Sequence, residues 1–169
     1  CAEILERRGC PVDKLNGPMP NGVSRKTFAP PSKAMISEFR ARNGSAFTTS
    51  TEMRVGYAGR IARQKGVHIL LEVARRNPRI QFGFCGAVAE DDLVDEIQVT
   101  PNAMYFGRLD TSDLVKFYGL SDVLVLPSIP TKTWEEQFGR VLTEAISCGT
   151  PAIGSDVGMI SEIVGQEAV

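Results

Sequence analysis

The chain lacks a charge excess of either sign. Its 19 basic and 20 acidic residues leave a formal net charge of −1. That excludes a basic footprint for nucleic acid and a polybasic face for an anionic membrane. There is a single histidine, His68, too few for a histidine-based metal site, and no metal is expected. The four cysteines, Cys1, Cys10, Cys85 and Cys148, show no C-x-x-C spacing. Cys85 and Cys148 fall in apolar stretches, where free cysteine behaves as a small hydrophobe. All four are read as reduced, which places the chain in the cytoplasm or at the cytosolic face of a membrane. No apolar run approaches the roughly 18–20 residues that span a bilayer. G-x-G-x-x-G and the Walker A pattern are both absent, so neither dinucleotide nor P-loop phosphate chemistry is signalled. No internal repeat or low-complexity segment is present.

What remains is an ordinary globular composition, 43% hydrophobic and 23% charged over 169 residues. This is enough for one domain with a real core. The first residue is Cys1 and the last are Ala168-Val169, just after a predicted helix. We therefore expect a piece of a larger protein, truncated at its C-terminus.

Turn and breaker residues divide the chain. Ala2 to Arg8 reads as a short helix and Lys14 to Pro20 as extended. Asn21-Gly22 is a turn dipeptide, and Ser24 to Ser32, with Pro30-Pro31, reads as linker. Lys33 to Arg42 is a helix ended by Asn43-Gly44, and Ser45 to Thr51 is a polar loop. An alternation follows. Strands are predicted at Met53–Ala58, Ile80–Cys85, Ala103–Phe106, Asp122–Leu126 and Pro151–Gly154. Helices are predicted at Gly66–Arg76, Asp91–Gln98, Thr111–Tyr118, Gln137–Cys148 and Met159–Val164. Asp122–Leu126 is nearly continuous in apolar residues, as expected for a strand covered on both faces. The class is α/β, with a Rossmann-like parallel sheet and helices on both faces. Ligands of such sheets bind beyond the carboxyl ends of the strands.

Two segments there could carry chemistry. The first is Gly56-Tyr57-Ala58-Gly59-Arg60-Ile61-Ala62-Arg63-Gln64-Lys65-Gly66, where a strand hands over to a helix. Gly59 lets the backbone approach a ligand closely. Arg60 can clamp phosphate oxygens in a planar fork, and Lys65 adds a point charge. The same residues also fit a glycine turn with solvated cations.

The second runs from Trp134-Glu135-Glu136 through Phe138-Gly139 to Glu144-Ala145 and Cys148-Gly149-Thr150-Pro151. A helix start is an anion site, and carboxylates accept hydrogen bonds from hydroxyls. A diphosphate flanked by two polyols matches that combination. Phe138, Val141, Leu142, Ala145 and Ile146 form an apolar stripe. At ~100° per residue, Glu144 falls roughly 130° from its centre, facing solvent or a cleft. Eight residues of helix would rise ~12 Å. Two solvated glutamates near a helix start would look the same.

Other positions carry weaker signals. Gly86 could line the same cleft or only make a turn. In Gly107-Arg108-Leu109-Asp110 the backbone could read a base edge, while Asp110 caps the next helix. Ser128 follows one strand and Ser155 to Gly158 another. Trp134 could stack on a ligand or simply pack. Asp91-Asp92 reads as a helix-start charge pair. His68 shares a polar face with Glu72 and Arg75 and is read as solvated.

Taken in order, Gly59-Arg60 with Lys65-Gly66, Ser121-Asp122-Val123-Leu124-Val125-Leu126-Pro127-Ser128, and Glu136-x7-Glu144 with Cys148-Gly149-Thr150-Pro151 resemble the donor-binding half of a GT-B glycosyltransferase. The nearest family is family 4, or group 1, of retaining enzymes. The stretch from Asp13 to Val23, with Phe28 and Pro30, resembles that family's hinge. The resemblance implies that residues 1–30 end an N-terminal acceptor domain or link to it, and that 31–169 bind a nucleotide sugar. It implies that Arg60 and Lys65 hold the donor diphosphate and that Glu144 bonds the ribose hydroxyls. Glu136 would contact the transferred sugar, with backbone at Phe138 and Gly139 beside it. Leu109 would lie near the base and Leu142 would line the site. The leaving diphosphate would be stabilised by Arg60, Lys65 and the helix dipole, with no metal and no cofactor beyond the donor substrate. Where the family has Ile-Pro-Glu, this chain has Ile160-Ser161-Glu162. Transfer of a hexosyl or related group in polysaccharide or glycoconjugate synthesis is implied, with the isolated chain inactive. A GT-B sugar-nucleotide epimerase and a non-catalytic nucleotide-sugar-binding module are the alternatives. A phosphate-receiver domain is disfavoured, because no acidic cluster ends the first strand.

Overall fold

The structure is a computed structural model that describes residues 9, 11, 21–43, 47, 52–132 and 134–165. The helix expected at Ala2–Arg8 and the extended segment Lys14–Pro20 lie outside these residues. Among the described residues, five strands and five helices alternate after the first helix. They are α1 (Lys33–Arg42), β1 (Met53–Ala58), α2 (Val67–Arg76), β2 (Ile80–Cys85), α3 (Asp91–Val99), β3 (Ala103–Tyr105), α4 (Thr111–Leu120), β4 (Val123–Leu126), α5 (Arg140–Ser147), β5 (Ala152–Gly154) and α6 (Ile160–Val164). A 3-10 turn, Arg63–Lys65, precedes α2.

The strands form one parallel sheet in the order β3-β2-β1-β4-β5. From β1 the chain steps outward through β2 to β3, then returns to the other side of β1. Because parallel crossovers are right-handed, this reversal puts the helices before it and the helices after it on opposite faces. Accordingly α2 packs with α3, while α4 packs with α1 and α5, and α5 with α6. The gap between β1 and β4, where the order reverses, is the place where such sheets take ligands.

Local chemistry explains most element ends. Ser32 caps α1 by accepting from Met35 N–H at 3.2 Å, and Asp110 caps α4 by accepting from Asp113 N–H at 2.8 Å. Asp91 and Asp92 lie in the first turn of α3, as expected. The core is aromatic and aliphatic, with Phe39, Tyr57, Phe84, Phe117, Tyr118 and Leu124 fully buried. Cys85 and Cys148 are free and buried within it.

Three local expectations change. Asn21-Gly22 makes no turn; the turn falls at Arg25–Thr27, where Thr27 N–H donates to Ser24 O at 3.0 Å. The segment read as linker then lies on the domain, with Phe28 packed against the core. Phe47, in the stretch Ser45 to Thr51 read as polar, is 2% exposed and stacked 5.7 Å from Phe106. One large apolar side chain outweighs its polar neighbours, since burying it gains about 1.5–3 kcal/mol. Among the described residues no helix is long and apolar enough to cross a membrane.

Candidate functional site

Glycines bring the loops beyond the strands together. A Cβ on Gly86 would lie 1.8 Å from Gly59 O, and Gly59 N–H donates to Cys85 O at 2.9 Å. A Cβ on Gly66 would lie 2.0 Å from Pro127 O, and Gly66 has φ +75, which suits glycine. Ile129 N–H donates to Gln64 O at 2.9 Å. These contacts seat the loop after β1 on the loop after β4.

That seating brings Lys65 and Glu136 together. The Lys65 ammonium donates to Glu136 Oε2, with the two side chains 14% and 12% exposed. Ser128, 1% exposed, donates its hydroxyl to the same oxygen at 3.1 Å. The ammonium also sits 4.6 Å from the centroid of the Trp134 ring, a cation–π contact. Sequence order separates Lys65 from Glu136 by 71 positions and assigned them to different parts of a ligand. Their pairing is visible only after folding.

Arg60 stands apart from this cluster. Its side chain is exposed, and among the described residues no acid pairs with it. Its carbonyl accepts from the buried Tyr57 hydroxyl at 2.7 Å, which fixes the loop backbone. Arg63 is drawn away from the site by Glu90 and Asp92, each at 2.8 Å. The backbone and side chain of Arg63 hold the Glu90 carboxyl below its ordinary range.

The helix after β4 begins at Arg140, three residues later than the sequence pattern indicates. The reason is Gly139, held at φ +71, which no helical residue adopts. Glu136 and Phe138 therefore precede the helix, and Phe138 is half-buried. Gly139 is buried, with Leu126 and Leu142 side chains 3.2 Å from where its Cβ would be. Leu142 is fully buried, so its side chain belongs to the core, while its N–H donates to Gly139 O at 2.9 Å. Leu109, after β3, is half-buried against the core.

Glu144 corrects the helical-phase argument. It does not face solvent, being 5% exposed. Two members of the expected apolar stripe do not face the core: Phe138 precedes the helix, and Ile146 is 45% exposed. The buried side of α5 instead carries Leu142, Glu144, Ala145 and, at its end, Cys148. Glu144 is buried because it is satisfied: Tyr118 donates to Oε2 at 2.9 Å, and Arg140 donates to Oε1 at 3.2 Å. Burial, then the Glu144 charge, pushes the Tyr118 phenol far above its ordinary range, so it stays protonated and donates to the carboxylate.

The loop after β5 closes the group. Gly158, at φ +59, would place a Cβ 1.8 Å from Glu136 O, and its N–H donates to Glu135 Oε1 at 3.0 Å. Ser155 donates to Ser128 O at 2.6 Å. Ile160 is fully buried, and Ser161, at the family's proline position, lies inside α6. His68 also departs from expectation: its Nδ1 is buried, with no partner among the described residues.

Sequence reasoning did not single out Tyr118 or Arg140. Arg140 had a signal, since it stands four residues before Glu144 on one helix. Tyr118 had only the general need of a buried hydroxyl for a partner.

The family model described as Glycosyl transferases group 1 matches residues 42–168. A D-inositol 3-phosphate glycosyltransferase of Mycobacterium sp. (strain KMS) is 30% identical over 146 residues, which cover 81% of this chain and 31% of the relative. A crystal structure of Anabaena HepE in complex with UDP and glucose superposes with a TM-score of 0.75 at 23% identity, covering 95% of this chain and 43% of that one. The C-terminal domain of a glycosyl transferase group 1 family protein from Francisella tularensis gives a TM-score of 0.63 at 19% identity, covering 83% and 74%. The chain spans between 27% and 40% of the length of such curated relatives.

Proposed function

The chain belongs to the glycosyl transferases group 1 family, and from that premise we propose that it is the donor-binding half of a GT-B enzyme. In this reading it holds a nucleoside-diphosphate sugar for retaining, metal-independent transfer to an acceptor on an N-terminal domain. The observation that carries it is the meeting of Lys65, Ser128 and Glu136 at the β1/β4 reversal, one loop away from Glu144 and Arg140.

The chemistry follows from the groups. A diphosphate needs cations and N–H donors, which Arg60, Lys65 and the start of α5 offer. Hydroxyls of ribose and sugar need acceptors, which Glu144 and Glu136 offer. As the bond to the sugar breaks, negative charge grows on the departing diphosphate. Cations already in place stabilise that charge without reorganising. Glu136 would take sugar hydroxyls, and backbone beside Leu109 would meet the base. The Mycobacterium relative is by its name a D-inositol 3-phosphate glycosyltransferase, and the Anabaena crystal holds UDP, which fits a nucleotide-sugar site. In this reading the chain holds only the donor side, so alone it is inactive in transfer.

The test is calorimetric titration with UDP, GDP and ADP and with their sugar conjugates. Trp134 is the only tryptophan of the chain, so its fluorescence reports directly on Lys65. Saturable binding of one nucleoside diphosphate, with a change in that fluorescence, is expected. No binding by any of the six would reject the reading, as would measurable transfer by the isolated chain for its inactivity.

A further inference from the structure

We propose that Tyr118 is a positioning residue for Glu144, holding one carboxylate oxygen so that the other takes a ribose hydroxyl of the donor. The inference rests on Glu144 being the ribose contact.

The two oxygens of Glu144 are held in different ways. Oε2 accepts from Tyr118, whose side chain is fully buried. Oε1 accepts from Arg140 at 3.2 Å, and the Arg140 side chain is 70% exposed. A pair four residues apart on a helix, with its cation mostly in solvent, is weak and easily displaced. A ligand hydroxyl can therefore replace Arg140 at Oε1, while replacing Tyr118 would require opening the core.

Tyr118 is itself anchored along its whole length. Its carbonyl accepts from the Thr150 hydroxyl at 2.7 Å and from Ser121 N–H at 3.0 Å. Its ring meets Phe117 and Phe28, each with a centroid separation of 6.4 Å. Phe28 comes from the segment before α1, which also sets Pro31 against Gly119. A Cβ on Gly119 would lie 2.3 Å from Pro31 Cγ, so that segment and α4 are in direct contact. Since Tyr118 stays protonated, its hydroxyl donates to Oε2, which leaves the Oε1 lone pairs of Glu144 for the ligand.

The test compares the tightest binder among UDP, GDP and ADP with its 2′-deoxy counterpart, for the wild-type chain and for Tyr118→Phe. The variant keeps the ring and loses only the hydroxyl. The wild type should prefer the ribonucleotide by about tenfold, the weight of one hydrogen bond to a charged group. Tyr118→Phe should reduce the preference to about threefold or less while its melt stays cooperative. An undiminished preference in folded Tyr118→Phe would overturn the positioning role and leave the ribose assignment standing. No preference in the wild type would overturn the ribose assignment itself, and this inference with it. If Tyr118→Phe does not fold, Phe28→Leu keeps the hydroxyl and loosens its seat. There a partial loss of preference supports the role, and an unchanged preference overturns it.

Discussion

Lys65 and Glu136 form an ion pair that joins the loops following β1 and β4, with Ser128 and Trp134 on either side of it. Both side chains are mostly shielded from water, so removing one leaves a charge in poor solvent. We expect Lys65→Ala and Glu136→Ala each to destabilise the fold by about 1–3 kcal/mol, below the range of a fully buried pair. The double variant should cost less than the sum. Urea unfolding of the four proteins measures the coupling, and strict additivity would show that the pair is energetically silent.

The two glutamates should separate by ligand. Glu144→Ala is expected to weaken bare nucleoside diphosphate by about 1–3 kcal/mol, the loss of charged hydrogen bonds. Glu136→Ala should weaken the sugar conjugate more than the bare diphosphate. Calorimetry on both ligands decides, and equal losses would reject the division of labour.

Gly158 offers a test through the backbone alone. Its left-handed φ of +59 and the Glu136 carbonyl 1.8 Å from its virtual Cβ leave no room for alanine. Gly158→Ala should cost about 1 kcal/mol or more in stability and displace Glu136. Affinity for the conjugate should fall further than affinity for the diphosphate. A variant that binds both ligands as the wild type does would show that Glu136 is not held from this side.

Stability at low pH should report on Arg54 and Asp122, which tie β1 to the start of β4. The Arg54 side chain donates to Asp122, with Nε 2.9 Å from Oδ2, and this holds the carboxyl below its ordinary range. A depressed carboxylate contributes stability above its unfolded pKa, about 4, and loses it as pH falls through the lower folded value. Below about pH 4 the wild type should therefore lose stability more steeply than Asp122→Asn. Parallel curves from pH 5 downward would rule the pair out as a contributor.

Much of the architecture was legible in the chain. Strand β1 at Met53–Ala58, strand β2 at Ile80–Cys85 and helix α1 at Lys33–Arg42 carry their bounds in short-range signals: apolar runs, a serine cap, an asparagine stop. Lys65, Glu136 and Glu144 stood out by type and position. The start of α5 departs from the sequence pattern because Gly139 interrupts an otherwise helical run, and its φ is set by packing against Leu126 and Leu142.

The sequence by itself determined the alternation of strand and helix, because that depends on periodicities of two and 3.6 residues. It also determined the chemical types at the strand ends. Only the tertiary structure decided that Lys65 meets Glu136 and that Glu144 lies buried under Tyr118. These pairings span 71 and 26 positions and depend on sheet order, loop seating and close glycine contacts. None of those leaves a periodic trace in the chain.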